Sequence, residues 1–196
     1  MEIFVATTSE HKRQELAQLF PLWTIHLPKD RGIDYFHEET ATTFLDNALG
    51  KAQTLHSLTG MPVLADDSGL CIQALGGAPG LFSARFGQDE KGRVLSDREK
   101  NLLVLEKMAG EEDRRAYYVC SLVLVLSKDR FFVAQETWQG LIWHREQGSG
   151  GFGYDPIFYL PEMCKTGGEL TSEEKNRLSH RGKAALRLKC LSQGLI

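Results

Sequence analysis

The stretch Tyr117–Trp143, YYVCSLVLVLSKDRFFVAQETWQGLIW, decides the fold class. Tyr117 to Leu126 and Phe131 to Trp143 are long runs of β-branched and aromatic residues, side chains that suit a pleated, half-buried surface. Only Ser127-Lys128-Asp129-Arg130 separates them, a connection short enough for a hairpin. The sheet therefore has an antiparallel part. Toward the N-terminus, Pro62 to Ala65 reads as a short strand running into Asp66-Asp67-Ser68-Gly69, and Ile3 to Ala6 as another running into Thr7-Thr8-Ser9. Helices with legible ends surround these strands. Leu16, Leu19 and Phe20 recur at helical spacing behind the first strand. Thr43 with Asp46 opens a helix that carries Leu45, Ala48, Ala52 and Leu55 and closes at Gly60; Ser96 with Glu99 opens one that closes at Gly110. Beyond the hairpin and the Gly148–Gly153 loop, Thr171 with Glu174 opens a short helix, and Lys183 to Ser192 forms a closing one. Strands and helices interleave with no linker, repeat or low-complexity tract, which predicts one α/β domain over residues 1–196, with a mixed sheet and a site in a cleft across it.

Bulk composition narrows the function. A chain of 196 residues that is 42% hydrophobic and 25% charged is ordinary for a water-soluble globular protein. No apolar run approaches the roughly eighteen residues of a membrane span. Met1 to Ser9 lacks the basic-then-apolar pattern of a secretory signal, so a cytoplasmic location is expected. Cys71, Cys120, Cys164 and Cys190 are scattered and form no CxxC pair, which excludes the usual zinc and thioredoxin spacings and predicts reduced thiols. A net charge of −3 argues against a nucleic-acid footprint, which needs clustered Lys and Arg. A charged ligand must be met by local groups.

Those groups exist. Thr7-Thr8-Ser9-Glu10-His11-Lys12 lies at a strand-to-helix junction, where free N–H groups, hydroxyls and the helix dipole favour phosphate and Lys12 adds a full charge. The bland alternative is a helix cap followed by a solvent-facing lysine. The chain has no GxxxxGK[ST] run, so no P-loop is involved. Glu38-Glu39 and Asp66-Asp67 offer carboxylates of the kind a small hard cation takes while keeping waters and substrate phosphates as its other ligands. Adjacent acids at the end of a core strand repel each other unless a cation or a donor compensates. Asn47 and Lys51, four apart on a helix, share one face. Glycines flank Phe152 in Gly148–Gly153, freeing the backbone and leaving a ring to stack on a base. Lys175, His180 and Arg181 supply cationic and imidazole donors near a helix break. Each motif singly reads as surface or packing, but together they make the inventory of a nucleotide phosphohydrolase.

Six motifs carry a resemblance along the whole chain, in order: Ala6–Lys12; Glu38-Glu39-Thr40 with Thr43-Phe44, Asn47-Ala48 and Lys51-Ala52; Ala65–Leu70; Leu75–Gly80 with Ser83-Ala84-Arg85; Gly150–Pro156; and Ser179–Gly182. The chain resembles the inosine triphosphate pyrophosphatases, the HAM1-like or non-canonical purine NTP pyrophosphatase family. The resemblance implies a single elongated α/β unit with a long mixed sheet, flanking helices and a central nucleotide-binding cleft. It also implies a homodimer, Mg2+ as cofactor, and hydrolysis of ITP, dITP and XTP to monophosphate and pyrophosphate by water attack at the α-phosphorus. By that pattern Asp67 is the general base, and Glu38 with Asp67, helped by Asp66, holds the metal. Thr7, Thr8, Ser9, Glu10, His11 and Lys12 cradle phosphates near Lys51, while Ser68, Phe152, Gly153, Tyr154, Asp155, Lys175, His180 and Arg181 complete the pocket. One departure stands out: Thr8-Ser9 replaces the family's Gly-Asn, so a flexible backbone and an amide donor give way to hydroxyls. The alternatives are a Maf-like pyrophosphatase for other modified nucleotides and a catalytically silent nucleotide-binding module.

Overall fold

The computed structural model describes residues 1–88 and 92–194. Seven strands form a sheet: β1 (Glu2–Val5), β2 (Thr24–His26), β3 (Val63–Ile72), β4 (Arg115–Ser127), β5 (Arg130–Ile142), β6 (Phe158–Leu160) and β7 (Lys165–Thr166), in the order β2-β1-β3-β4-β5-β6-β7. β1 runs parallel to β2 and β3, whereas β6 runs antiparallel to β5 and β7, so the sheet is mixed as expected. The helices are α1 (Glu10–Leu19), α2 (Phe44–Thr59), α3 (Asp97–Lys107), α4 (Ser172–Leu178) and α5 (His180–Leu191).

The chain divides into two compact units. One comprises Met1–Asp67, Cys120–Glu136 and the chain from His180 onward; the other comprises Ser68–Val119 and Thr137–Ser179. In the first unit the two-residue period of the strands sorts side chains onto both faces of the sheet. Ile3, Val5, Leu64, Leu122 and Leu124 pack with Leu16 and Leu19 of α1 and Ala184, Ala185 and Leu188 of α5. Phe4, Ala6, Val63, Ala65, Val123 and Val125 pack on the other side with Ala48, Ala52 and Leu55 of α2. Strands covered on both faces read as unbroken apolar runs, which is why Leu122–Val125 shows no polar alternation. In the second unit, Leu70, Ile72, Ala116, Tyr118, Trp138 and Phe158 pack against Val104 of α3 and against Met108. Phe158 meets the Tyr118 ring at 4.7 Å, near edge-on, and the Trp138 ring at 5.1 Å.

The helix starts follow their capping residues. Ser9, Thr43, Ser96 and Thr171 each accept a backbone N–H of the first turn through their hydroxyls, and Gly60 closes α2 in the left-handed conformation at φ 65°. α3 ends at Lys107, short of the expected Gly110, and two boundaries that bear on the site also differ from expectation. The closing helix begins at His180, so Arg181 and Gly182 form its first turn instead of preceding it. β3 does not end at Ala65 but runs on through Asp66 and Asp67 to Ile72, because the charge at its centre is compensated by ion pairs from the neighbouring helices.

Candidate active site

The continuation of β3 fixes the chemistry. Asp66 follows Leu64 on the face covered by α1 and α5; Asp67 follows Val63 and Ala65 on the face covered by α2. Adjacent carboxylates therefore meet different partners. Asp66 is 1% exposed and lies 2.5 Å from Lys12 Nζ and 2.8 Å from Arg181 Nε, while the Cys120 thiol donates to it at 3.0 Å. Arg181, 2% exposed, also pairs with Glu15 of α1 at 2.5 Å. Burial alone would raise the Asp66 pKa, but the Arg181 and Lys12 charges outweigh it and hold the carboxyl well below its usual 3.8.

On the other face, Lys51 Nζ projects from α2 and donates to Asp67 Oδ1 at 2.6 Å, Glu39 Oε1 at 2.9 Å and the Asp66 carbonyl at 2.9 Å. Here burial wins for the acid: it pushes the Asp67 carboxyl above 3.8 despite the nearby Lys51 and Lys12 charges. Lys51 goes the other way; burial favours the neutral amine, but Asp67 and Glu39 together raise its pKa. A buried carboxylate with a raised pKa beside a fixed ammonium is a competent proton acceptor.

At the junction of β1 and α1, Thr7 Oγ1 accepts the Ser9 N–H at 3.1 Å and Ser9 Oγ accepts the Lys12 N–H at 3.3 Å. Ser9 thus caps the helix where the family motif has Asn. Thr8 and His11 are exposed, and Glu10 pairs with Arg13. These hydroxyls and the first turn of α1 present an anion with donors beside Lys12.

The second unit holds its own group. Asp155 Oδ2 accepts from Lys175 Nζ at 2.6 Å and from the Phe152 N–H at 2.8 Å, and Lys175 Nζ stands 4.5 Å from the Phe152 ring centre. Gly151, at φ 69°, is required: a Cβ there would fall 2.0 Å from Asp155 Oδ2. Gly153 donates its N–H to Asp97 at 2.8 Å. Tyr154 is buried with its hydroxyl donated to the Ser83 carbonyl at 2.8 Å, so it braces the loop. Ser68 lies partly buried on β3, and His180 is buried at the start of α5.

The structure thus brings Lys12, Asp66 and Arg181 together, and separately Lys51 and Asp67. Glu38 is exposed, whereas Glu39 reaches Lys51. Glu15 is the residue that sequence reasoning passed over; Glu39 was named there beside Glu38 as a candidate carboxylate, without a role of its own. Among the described residues no three His, Cys, Asp or Glu side chains cluster as a ready-made metal site. Glu39 and Asp67 nonetheless converge on one point, and two carboxylates are a donor set that suits a hard cation completing its shell with water and phosphate.

A mixed α/β sheet that buries paired acids and cations beside a hydroxyl-lined helix start defines a protein built to handle phosphate without a P-loop. More narrowly, the Ham1 family model matches residues 3–190, and the chain belongs to that family. A dITP/XTP pyrophosphatase of Treponema denticola is 48% identical over 94% of this chain and 94% of its own, and one of Nitrosomonas europaea is 43% identical over 95% and 92%. The Ham1 protein of Staphylococcus aureus superposes with a TM-score of 0.87 at 34% identity, covering 100% of both chains.

Proposed function

We propose that this protein hydrolyses ITP, dITP and XTP to the nucleoside monophosphate and pyrophosphate. The observation that carries this reading is the buried Asp67 carboxyl, raised in pKa and held by Lys51 beside Glu39. The similarity to relatives named for dITP and XTP supports the substrate class. Asp67 takes a proton from a water that attacks the α-phosphorus; the new P–O bond forms as the bond to the bridging oxygen breaks and pyrophosphate leaves. Thr7, Ser9, Lys12 and Lys51 bind the phosphate oxygens.

Glu39 and Asp67 would hold Mg2+, which when bound supplies neutralising charge to the triphosphate. Asp66 is left out of that set because its carboxylate is committed to Lys12 and Arg181, and Glu38 because it is exposed. On chemistry alone, the Phe152 ring and the Asp155–Lys175 pair are assigned to the purine: a face to stack on, and an acceptor and a donor for its polar edge. Arg181 is engaged by Asp66 and Glu15, so its role is to hold the phosphate-side charges in place. A homodimer and a cytoplasmic location belong to the same reading. No helix among the described residues is long and apolar enough to cross a membrane.

The test is hydrolysis of dITP, XTP, dATP and dTTP with Mg2+, separating pyrophosphate from orthophosphate. A preference for dITP and XTP of at least about a hundredfold in kcat/KM, with pyrophosphate as product, is expected from a site that reads a purine's polar groups. Equal cutting of dATP overturns the specificity; orthophosphate as product overturns attack at the α-phosphorus.

A further inference from the structure

An ammonium has three N–H donors, and those of Lys51 are matched by three oxygens: Glu39 Oε1, Asp67 Oδ1 and the Asp66 carbonyl, all within 2.9 Å. Lys51 is 8% exposed. Its head thus has the surroundings of a hard metal ion: a positive centre held by carboxylate and carbonyl oxygens. We propose that Lys51 occupies the cation seat of the metal-free enzyme, and that a divalent metal entering between Glu39 and Asp67 displaces the ammonium, which then meets the triphosphate. This rests on the assignment of Glu39 and Asp67 to the metal made above.

Three considerations lead there. A Mg2+ ion needs oxygens at about 2.0–2.1 Å, so drawing Glu39 Oε1 and Asp67 Oδ1 onto it takes from the ammonium the two carboxylate oxygens it now holds. Like charges a few ångströms apart in a buried site repel strongly, so the ammonium must leave as the metal arrives. Finally, only the head has to move: the Lys51 stem has four methylenes, and its Cα stays fixed within α2. In the metal-free protein the ammonium keeps Glu39 and Asp67 from repelling each other. In the loaded protein it is released toward phosphate oxygens, so metal and nucleotide bind with positive coupling.

The experiment titrates Mn2+ without nucleotide, following binding by calorimetry or by the electron paramagnetic resonance of free Mn2+. Wild type is compared with Lys51→Met and Lys51→Gln; the glutamine keeps a donor for the Asp66 carbonyl and serves if the methionine variant does not fold. Lys12→Met is the control, because Lys12 also acts on Asp67 through space but sits on Asp66. Removal of Lys51 should tighten Mn2+ binding at least about tenfold, corresponding to about 1.4 kcal/mol of competition. The Lys12 variant should change far less. Lys51→Met should melt below wild type without metal and gain more from Mn2+ than wild type does. Unchanged or weaker Mn2+ affinity in both Lys51 variants overturns displacement, as does an equal gain in Lys12→Met, which would trace the effect to the general field. Absence of Mn2+ binding from every protein would instead remove the metal assignment on which the proposal stands.

Discussion

The Asp66 carboxylate faces Lys12, Arg181 and Cys120, whereas the Asp67 carboxylate, one residue on, faces Lys51; the two cations outweigh burial and lower the Asp66 pKa, whereas at Asp67 burial outweighs the nearby ammonium and raises it. Asp66, lowered by Arg181 and Lys12, contributes stability that is present above its unfolded pKa and lost as pH falls through its folded one. Arg181→Met would leave Asp66 and Glu15 without their shared partner, and a loss of about 3–5 kcal/mol is expected in urea unfolding at neutral pH. The gap between variant and wild type should narrow in acid, as Asp66 protonates; a gap that is constant with pH would show that Arg181 acts by packing alone. Asp67→Asn should lower kcat by about 10²- to 10⁴-fold with the fold intact by circular dichroism. Because burial raises the Asp67 pKa, the acid limb of kcat/KM should lie above 3.8 in wild type and vanish in the residual activity of the variant. The presence of this acid pair beside a core strand was legible in the sequence, but its division between two faces was not. Ending the strand at Ala65 placed the two acids side by side, whereas a strand continued through them separates them by its two-residue period. Which of Glu38 and Glu39 reaches Lys51 was not legible either, because both lie outside any regular element whose period would orient them.

Helix ends were the most legible elements because capping is decided within three residues: Thr43 with Asp46, Ser96 with Glu99 and Thr171 with Glu174 all form the contacts their spacing predicts. The long β4–β5 hairpin was legible for the same local reason. β2, β6 and β7 were not, being three, three and two residues long, too short for a period to show. The sequence of α3 offered only a capping box, yet its first residue, Asp97, accepts the Gly153 N–H at 2.8 Å and pairs with Lys100 at 2.8 Å. It anchors the loop that carries Phe152 and Asp155. Loss of one charge-assisted hydrogen bond is worth about 1.5 kcal/mol, so Asp97→Ala should raise KM for dITP roughly tenfold with kcat nearly unchanged. Asp97→Asn, which keeps an acceptor, should recover most of that loss. A fall in kcat at constant KM would refute the anchoring role.

Across the whole chain, 23 Lys and Arg face 26 Asp and Glu, and the net charge is −3. Burial does not relieve that balance: Lys51, Lys100, Lys175 and Arg181 are withdrawn from solvent together with Asp66, Asp67 and Asp155. The cations offered to a triphosphate are thus drawn inside and paired with acids, while the charge seen from a distance has the substrate's own sign. Attraction is short-ranged and repulsion long-ranged, and salt screens the long-ranged part first. Raising ionic strength from about 20 to about 200 mM shortens the Debye length from about 20 Å to about 7 Å. At saturating metal, kcat/KM for dITP should therefore hold steady or rise across that range, and duplex DNA should not be retained even at the lowest salt. A several-fold fall in kcat/KM would reveal a positive mouth that steers the nucleotide, and would place the dominant field at the site and not in the molecule's overall balance.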